Sequence, residues 1–355
     1  MTWQGVEGHD EVVRQFCRTV VRGRLASSYL FVGPDGVGKR TFVRELSRSL
    51  LCSACDPLTL DPCGSCRNCE LMDAGTHPDW DYVSLPEGKK TIPVELFIGD
   101  RQHRGREGLC RRLAMKPYAG GRRIGVIDDA DHLSEESANC LLKTLEEPPP
   151  GSVLILIGTN PDRQLPTIRS RCQIMRFRPL PTPLVASLLM DTGAVSDQKT
   201  ADHLARCSGG NMRQAARLND PDLWQFRNDF LSRIGERPLD SLRLAKAVTT
   251  FVDQAGKEAA VKRQRASLVV EWSLDFFNNV LRERVGAAGL DVFQHDPLVG
   301  ADSNGDSTGE VDAEIAEACM DRCLAAFDHI DRNGHLAVVT ECWLDDLASL
   351  VSASE

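Results

Sequence analysis

No run of eighteen apolar residues occurs in the sequence, so no stretch of it reads as a membrane span. The N-terminus, MTWQGVEGHDEVV, lacks a basic region followed by an apolar one, which argues against a signal peptide and sets the expectation of a cytoplasmic protein. A basic excess is also missing. The formal net charge is −9, opposite to the balance of a protein that grips nucleic acid unaided. No internal repeat is visible. The thirteen cysteines are not spaced as a secreted disulfide framework: five fall between Cys52 and Cys69, and the other eight are scattered singly. A chain of 355 residues exceeds one ordinary core, and two or three domains are expected.

Apolar runs without alternation occur at 28–33 (SYLFVG), 82–85, 124–128 (IGVID) and 153–158 (VLILIG), as expected of strands covered by helices on both faces. After the first, Phe42, Val43, Leu46 and Leu50 recur at helical spacing. SEESANCLLKTLEEPPP predicts a helix with Ser134 as its cap, two acids in its first turn and prolines ending it. These elements predict a parallel α/β domain to about residue 178, bounded by RPLPTP at 178–183. Residues 184–218 and 224 onward have helical spacing throughout. Residues 286–310 read as a long loop, in which DSNGDS has a calcium-loop flavour. Ser307 stands where such a loop needs glycine, so a linker is expected.

GPDGVGKRTF, residues 33–42, carries the chemistry. Gly33, Gly36 and Gly38 let a backbone wrap a phosphate, and Lys39 supplies charge to the outer oxygens. The next residue normally gives a hydroxyl to magnesium, but here it is Arg40, with Thr41 one place further. At 124–134, Asp128 is placed to hold a magnesium water. Asp129 takes the catalytic-base position with a side chain one methylene shorter than glutamate, which misplaces an attacking water. Phosphate binding without efficient hydrolysis is the expectation.

Cys63, Cys66 and Cys69 are separated by two residues each, a spacing that faces thiolates toward one ion. Cys52 or Cys55 completes a closed, structural Cys₄ zinc site. In PTIRSRCQIMRF, 166–177, Arg171 reads equally as a surface ion pair or as a finger reaching a neighbour's γ-phosphate. The basic stretch RQHRGREGLCRR, 101–112, reads as a solvated helix face rather than a DNA contact.

Taken together, the phosphate loop, the four-cysteine module, GTHPD at 75–79, the acidic strand end, LLKTLEEPP at 141–149, Thr159 and Asn160, and SRC at 170–172 resemble the bacterial clamp-loader AAA+ family over about residues 3–220. That resemblance implies an AAA+ core at 1–178 with a zinc module at about 50–70, a helical lid at 179–220 and an oligomerising helical collar at 221–355. It implies partners of γ/τ and δ type, a sliding clamp and primer–template DNA reached through the complex, and no membrane. Position by position it makes Arg171 an arginine finger in trans, Thr159 and Asn160 a sensor, and Arg213 a second sensor. It selects Cys52 over Cys55, because the family's first ligand follows a helix end as LLC. ATP with magnesium is implied only as a weak ligand. A γ/τ-type motor is the alternative, and it would prefer Thr at 40 and Glu at 129. A separate zinc-dependent nucleic-acid binder is disfavoured by the net charge.

Overall fold

The computed structural model describes residues 3, 6–119, 121–236, 238–256, 258–285 and 312–352. The expected loop at 286–310, DSNGDS included, lies outside these residues. The chain divides into two units, Met1–Ala216 and Arg217–Glu355.

In the first unit, β1 (Ser28–Val32), β2 (Trp80–Val83), β3 (Arg123–Ile127), β4 (Ser152–Gly158) and β5 (Gln173–Arg176) form one sheet in the order β2-β3-β4-β1-β5. Every pairing is parallel; Leu30 of β1 stands opposite Leu156 of β4 and Ile174 of β5. Parallel neighbours require crossovers, and helices supply them: α1 (Asp10–Val21), α2 (Lys39–Leu51), α3 (Arg67–Asp73), α4 (Glu95–Ile98), α5 (Leu109–Leu113), α6 (Glu135–Glu146) and α7 (Pro166–Arg169). Successive strand residues alternate between faces. Tyr29 and Phe31 join Phe16 of α1 and Phe42 and Leu46 of α2 on one side. Leu30 and Val32 join Phe97, Leu109, Leu141 and Leu145 on the other. Both faces are therefore covered, which is why β1, β3 and β4 read as continuous apolar runs.

Strand β2 begins at Trp80, two residues before the expected run. Strand β5 was not expected at all: only Met175 of QIMR is buried, so an edge strand of four residues leaves almost no apolar signal. Helix α6 starts as its sequence predicts, with the Ser134 side chain accepting from the Ser137 backbone N–H at 3.1 Å. Ser134→Ala is expected to lower the stability of this unit by about 1 kcal/mol, read as an earlier urea midpoint with an unchanged slope. The basic stretch at 101–112 needs correction. Residues 101–106 form turns, and only Leu109–Leu113 is helical. Asp100 Oδ1 takes the Gln102 and His103 N–H groups, while Gly105 and Gly108 sit at φ 75° and 91°, so no helix runs through.

After the prolines come α8 (Thr182–Asp191), α9 (Gln198–Cys207) and α10 (Met212–Leu218). In the second unit all the described elements are helices: α11 (Pro221–Ile234), α12 (Ser241–Asp253), α13 (Ala259–Arg284), α14 (Ala313–Asp331) and α15 (Leu336–Ser352). Phe226 stacks on Phe251 with ring centroids 3.8 Å apart, and Trp272 lies beside Phe251. Ile315, Cys319, Cys323, Phe327 and Ile330 lie at helical spacing on α14 and form an apolar stripe that faces inward, with Cys319, Cys323 and Ile330 buried and Ile315 and Phe327 half-buried. That stripe is core of its own unit. Among the described residues, no helix is long and apolar enough to cross a membrane.

Candidate nucleotide and metal sites

A phosphate loop works because its backbone can turn inward where side chains would collide. Gly36 and Gly38 take φ of 69° and 94°, and a Cβ at Gly36 would lie 1.8 Å from Asn211 Oδ1. The Gly36 carbonyl accepts from Met212 N at 3.1 Å, so the segment 211–213 clasps the loop. From the other side His9 Nε2 meets the Val37 carbonyl at 2.6 Å. Burial pushes the His9 pKa down, opposed by that carbonyl and by Asp10. Its ring packs edge-on against Phe177 at 4.9 Å.

The loop forms one wall of a cavity of about 500 Å³ at the carboxyl ends of the strands, where open α/β sheets place ligands. Gly36, Gly38, Lys39, Arg40, Thr41, Asp128, Asp129, Thr159 and Arg213 all line it. Gly33 stands behind the lining, its N–H donated to the Thr159 carbonyl at 3.0 Å. The Asn160 side chain accepts from Asp162 N at 3.0 Å, capping the turn at Pro161–Arg163 rather than lining the cavity. Lys39, at the start of α2, donates to the Gly33 and Pro34 carbonyls at 2.5 and 2.7 Å. Burial lowers its pKa from the ordinary lysine value, and Asp35, Asp131 and Asp128 oppose that shift.

The main departure from a phosphate-hydrolysing site is Arg40. Its Nε pairs with Asp128 Oδ2, and its Nη2 donates to Asp129 Oδ1 at 2.7 Å. Burial works against the guanidinium's charge, but the two carboxylates more than offset it and raise the pKa further. The Asp128 carboxylate, 2% exposed, also accepts from the Tyr82 hydroxyl and from Asp129 N. Burial raises its pKa, opposed by Tyr82 and Arg40. Asp129 itself takes the left-handed conformation at φ 54°, which aspartate tolerates better than most residues. Magnesium does not fit here. It requires near-octahedral oxygen ligation at about 2.1 Å, whereas these carboxylates are already engaged and the side chain at 40 offers no oxygen.

Several contributors escape sequence inspection. Asp131 accepts from Thr159 N and Oγ1 and from Gln164 Nε2 at 2.6 to 2.7 Å, fixing the end of β4 beside the loop. Tyr82 and His9 are likewise visible only once the strands are side by side. Asp131 had a faint signal, as the third acid of IDDAD, but nothing in its type separates it from the other two.

Arg171 lies outside the cavity, between α7 and β5. Its Nη2 pairs with Glu146 Oε1 at 2.6 Å, and its Nη1 donates to the Thr167 carbonyl at 2.9 Å. The neighbouring Cys172 packs against the second core, where burial pushes its thiol up to about 12.

The cysteine module joins α2 to α3. Sγ atoms of Cys52, Cys63, Cys66 and Cys69 all lie within 4.8 Å of one another and can hold a metal ion. Cys52 lies 3.5 Å from Cys63 and 3.8 Å from Cys66. A tetrahedron with metal–sulfur bonds of about 2.3 Å has edges of about 3.8 Å, so the fit is close. Cys55 stands apart, packing against the first core and donating to the Asp56 carbonyl at 3.7 Å.

Sheet order, loop and cavity together define a P-loop α/β unit bearing a four-cysteine module. Residues 8–181 match the family described as DNA polymerase III, delta subunit. A DNA polymerase III subunit delta′ from Pseudomonas aeruginosa is 37% identical over 200 residues, 56% of this chain and 57% of that one. The Escherichia coli delta′ subunit is 30% identical over 297 residues, 84% of this chain and 82% of that one. This chain belongs to the family of DNA polymerase III delta′ subunits. The E. coli tau subunit is 29% identical over 62% of this chain and 32% of its own. Matched stretches cover 57% of the Pseudomonas relative and 63% of the Bacillus subtilis delta′ relative. Among solved structures, a gamma-subunit-related protein of DNA polymerase III from Thermotoga maritima covers 97% of this chain and 98% of its own, at 16% identity and TM-score 0.37. That likeness is too loose to decide anything further.

Proposed function

We propose that the chain is the delta′-type subunit of a DNA polymerase III clamp loader in the cytoplasm and acts mainly as a stator. In this reading it joins γ/τ- and δ-type subunits and assists ATP-dependent loading of a sliding clamp onto primer–template DNA. It supplies Arg171 to the γ-phosphate of a neighbouring ATPase. Membership of the delta′ family supports the assembly. The non-hydrolytic character rests on one observation: Arg40 takes up Asp128 and Asp129, the acids a P-loop ATPase keeps for magnesium and for the attacking water.

Within this reading Lys39 and the loop amides of Gly36 and Gly38 contact phosphate. Thr159 with Asn160, and Arg213, are the sensor positions, and the four cysteines hold structural zinc. Residues 1–178 are the AAA+ core, 179–220 a lid and 221–355 the oligomerising collar. Arg171 suits a finger because its side chain is 34% exposed and that of its partner Glu146 is 51% exposed. An exposed pair of this kind is worth about 1 kcal/mol or less, so exchanging Glu146 for a phosphate is cheap.

The test mixes the full chain, or a fragment ending near residue 220, with γ/τ- and δ-type subunits on a sizing column. The full chain is expected to co-elute and to turn over ATP alone at background rate. The fragment is expected to fold but stay apart. Co-elution of the fragment would overturn the collar assignment, and vigorous turnover by the isolated chain would favour a γ/τ-type motor.

A further inference from the structure

The acids at the end of β3 carry a fixed protein cation, and this changes what the cavity can hold. The inference rests on the phosphate-loop reading above and deepens it. The Asp128 carboxylate already accepts from Tyr82, from Asp129 N and from Arg40 Nε, and it is 2% exposed. Thr41, one residue beyond Arg40, is turned about 100° round α2 and cannot replace the missing ligand at 40. Arg40 uses two of its five N–H groups on the acids, leaving three for another acceptor. Lys39 uses two of its three donors on loop carbonyls, and the third stands beside the exposed Asp35 carboxylate, 4.0 Å from Nζ.

Charge then selects the ligand. Magnesium with two aspartates would sum to zero, whereas Arg40 with Asp128 and Asp129 sums to −1. A γ-phosphate is the group that would be laid against this residual negative charge, and no metal bridges it to the acids. A shorter ligand stops at the loop amides and Lys39. We propose that this cavity takes a nucleoside diphosphate without any divalent cation, using Arg40 in place of the metal and gaining nothing from a third phosphate.

The experiment is calorimetry on the full chain with ADP and ATP, with and without magnesium. The buffer is freed of divalent ions over a chelating resin before protein is added, so the cysteine site keeps any ion it holds. ADP affinity is expected to change less than about twofold when magnesium is added, with ATP no tighter, because the metal's ligands are already engaged. In Arg40→Thr, a hydroxyl returns and the acids are released, and magnesium is expected to tighten ADP about tenfold or more. Asp129→Asn provides a second variant that leaves Arg40 on Asp128. It neutralises the trio, so it is expected to tighten ATP more than ADP, still without magnesium. A tenfold gain from magnesium in the native chain would overturn this inference, whereas the stator reading falls separately, on ATP turnover by the isolated chain. Absence of ADP binding in either buffer, or a weakening in Asp129→Asn, would overturn the inference alone. Co-elution with partner subunits would still stand as the separate measure of assembly.

Discussion

Arg171→Ala is expected to lower the DNA-stimulated ATPase of the assembled complex by about 10³, the scale of a finger that stabilises charge on a transferring phosphoryl group. Assembly should be unaffected, because the Arg171 side chain bonds to Glu146, Thr167 and Ser170 of its own unit and is one-third exposed. Removing it frees an exposed carboxylate, which water solvates readily. Lys39→Ala provides the contrast. If this chain's own loop does not hydrolyse ATP, losing its lysine should leave the complex's turnover nearly unchanged. Measured side by side on complexes of equal composition, the two variants separate a donated finger from a working motor. The reverse pattern, Lys39 essential and Arg171 dispensable, would make the loop a motor and end the stator reading. Glu146→Gln adds a control. It releases Arg171 from its resting partner, so turnover should be kept or slightly raised rather than lost.

The features legible in the sequence were those whose chemistry is local. The phosphate loop declares itself because positive φ at Gly36 and Gly38 demands glycine wherever that turn is built. Helix α6 declares itself through Ser134, whose capping bond spans three residues. Strands β1, β3 and β4 are buried on both faces and have continuous apolar runs to show for it. Strand β5 is an edge strand with one buried residue, and edge strands are specified by the partner they lie against rather than by their own pattern. The basic segment at 101–112 misled because charge density resembles a solvated helix face, while Gly105, Gly108 and the Asp100 turn decided the backbone. The Arg40–Asp129 bond joins residues 89 apart in sequence. An arginine at position 40 can be read as the loss of a hydroxyl. That it becomes a counter-charge for two aspartates depends on β1 and β3 ending at the same cavity.

The cysteine module is the clearest case of a site left open by spacing and closed by geometry. Cys63, Cys66 and Cys69 announce a metal, but Cys52 and Cys55 are equal candidates on distance along the chain. Helix α2 ends at Leu51, which turns Cys52 toward the other three, whereas Cys55 falls against the first core. Cys66 stands at the start of α3 and Cys69 in its first turn, so one ion would tie the end of one helix to the beginning of the next. We expect one zinc per chain, retained through purification, and little or none in Cys66→Ser. Three remaining thiolates with one hydroxyl make a poor closed site. The excursion from 52 to 69 would then be held by Asn68 Nδ2 on the Leu51 carbonyl at 2.7 Å, by Ser49 Oγ on the Leu60 carbonyl at 2.5 Å, and by Leu60 and Met72 in the core. The stability loss should therefore be about 3 kcal/mol, the scale of a cross-link closing a loop of roughly fifteen residues, rather than collapse of the sheet. Amide exchange should accelerate across residues 52–72 and stay slow in β1 and β4. Cys52→Ser should match Cys66→Ser in metal content, while Cys55→Ser should keep its zinc. Metal-free native protein, prepared without chelator, would remove the site altogether. Loss of zinc in Cys55→Ser but not in Cys52→Ser would move the fourth ligand three residues along the chain.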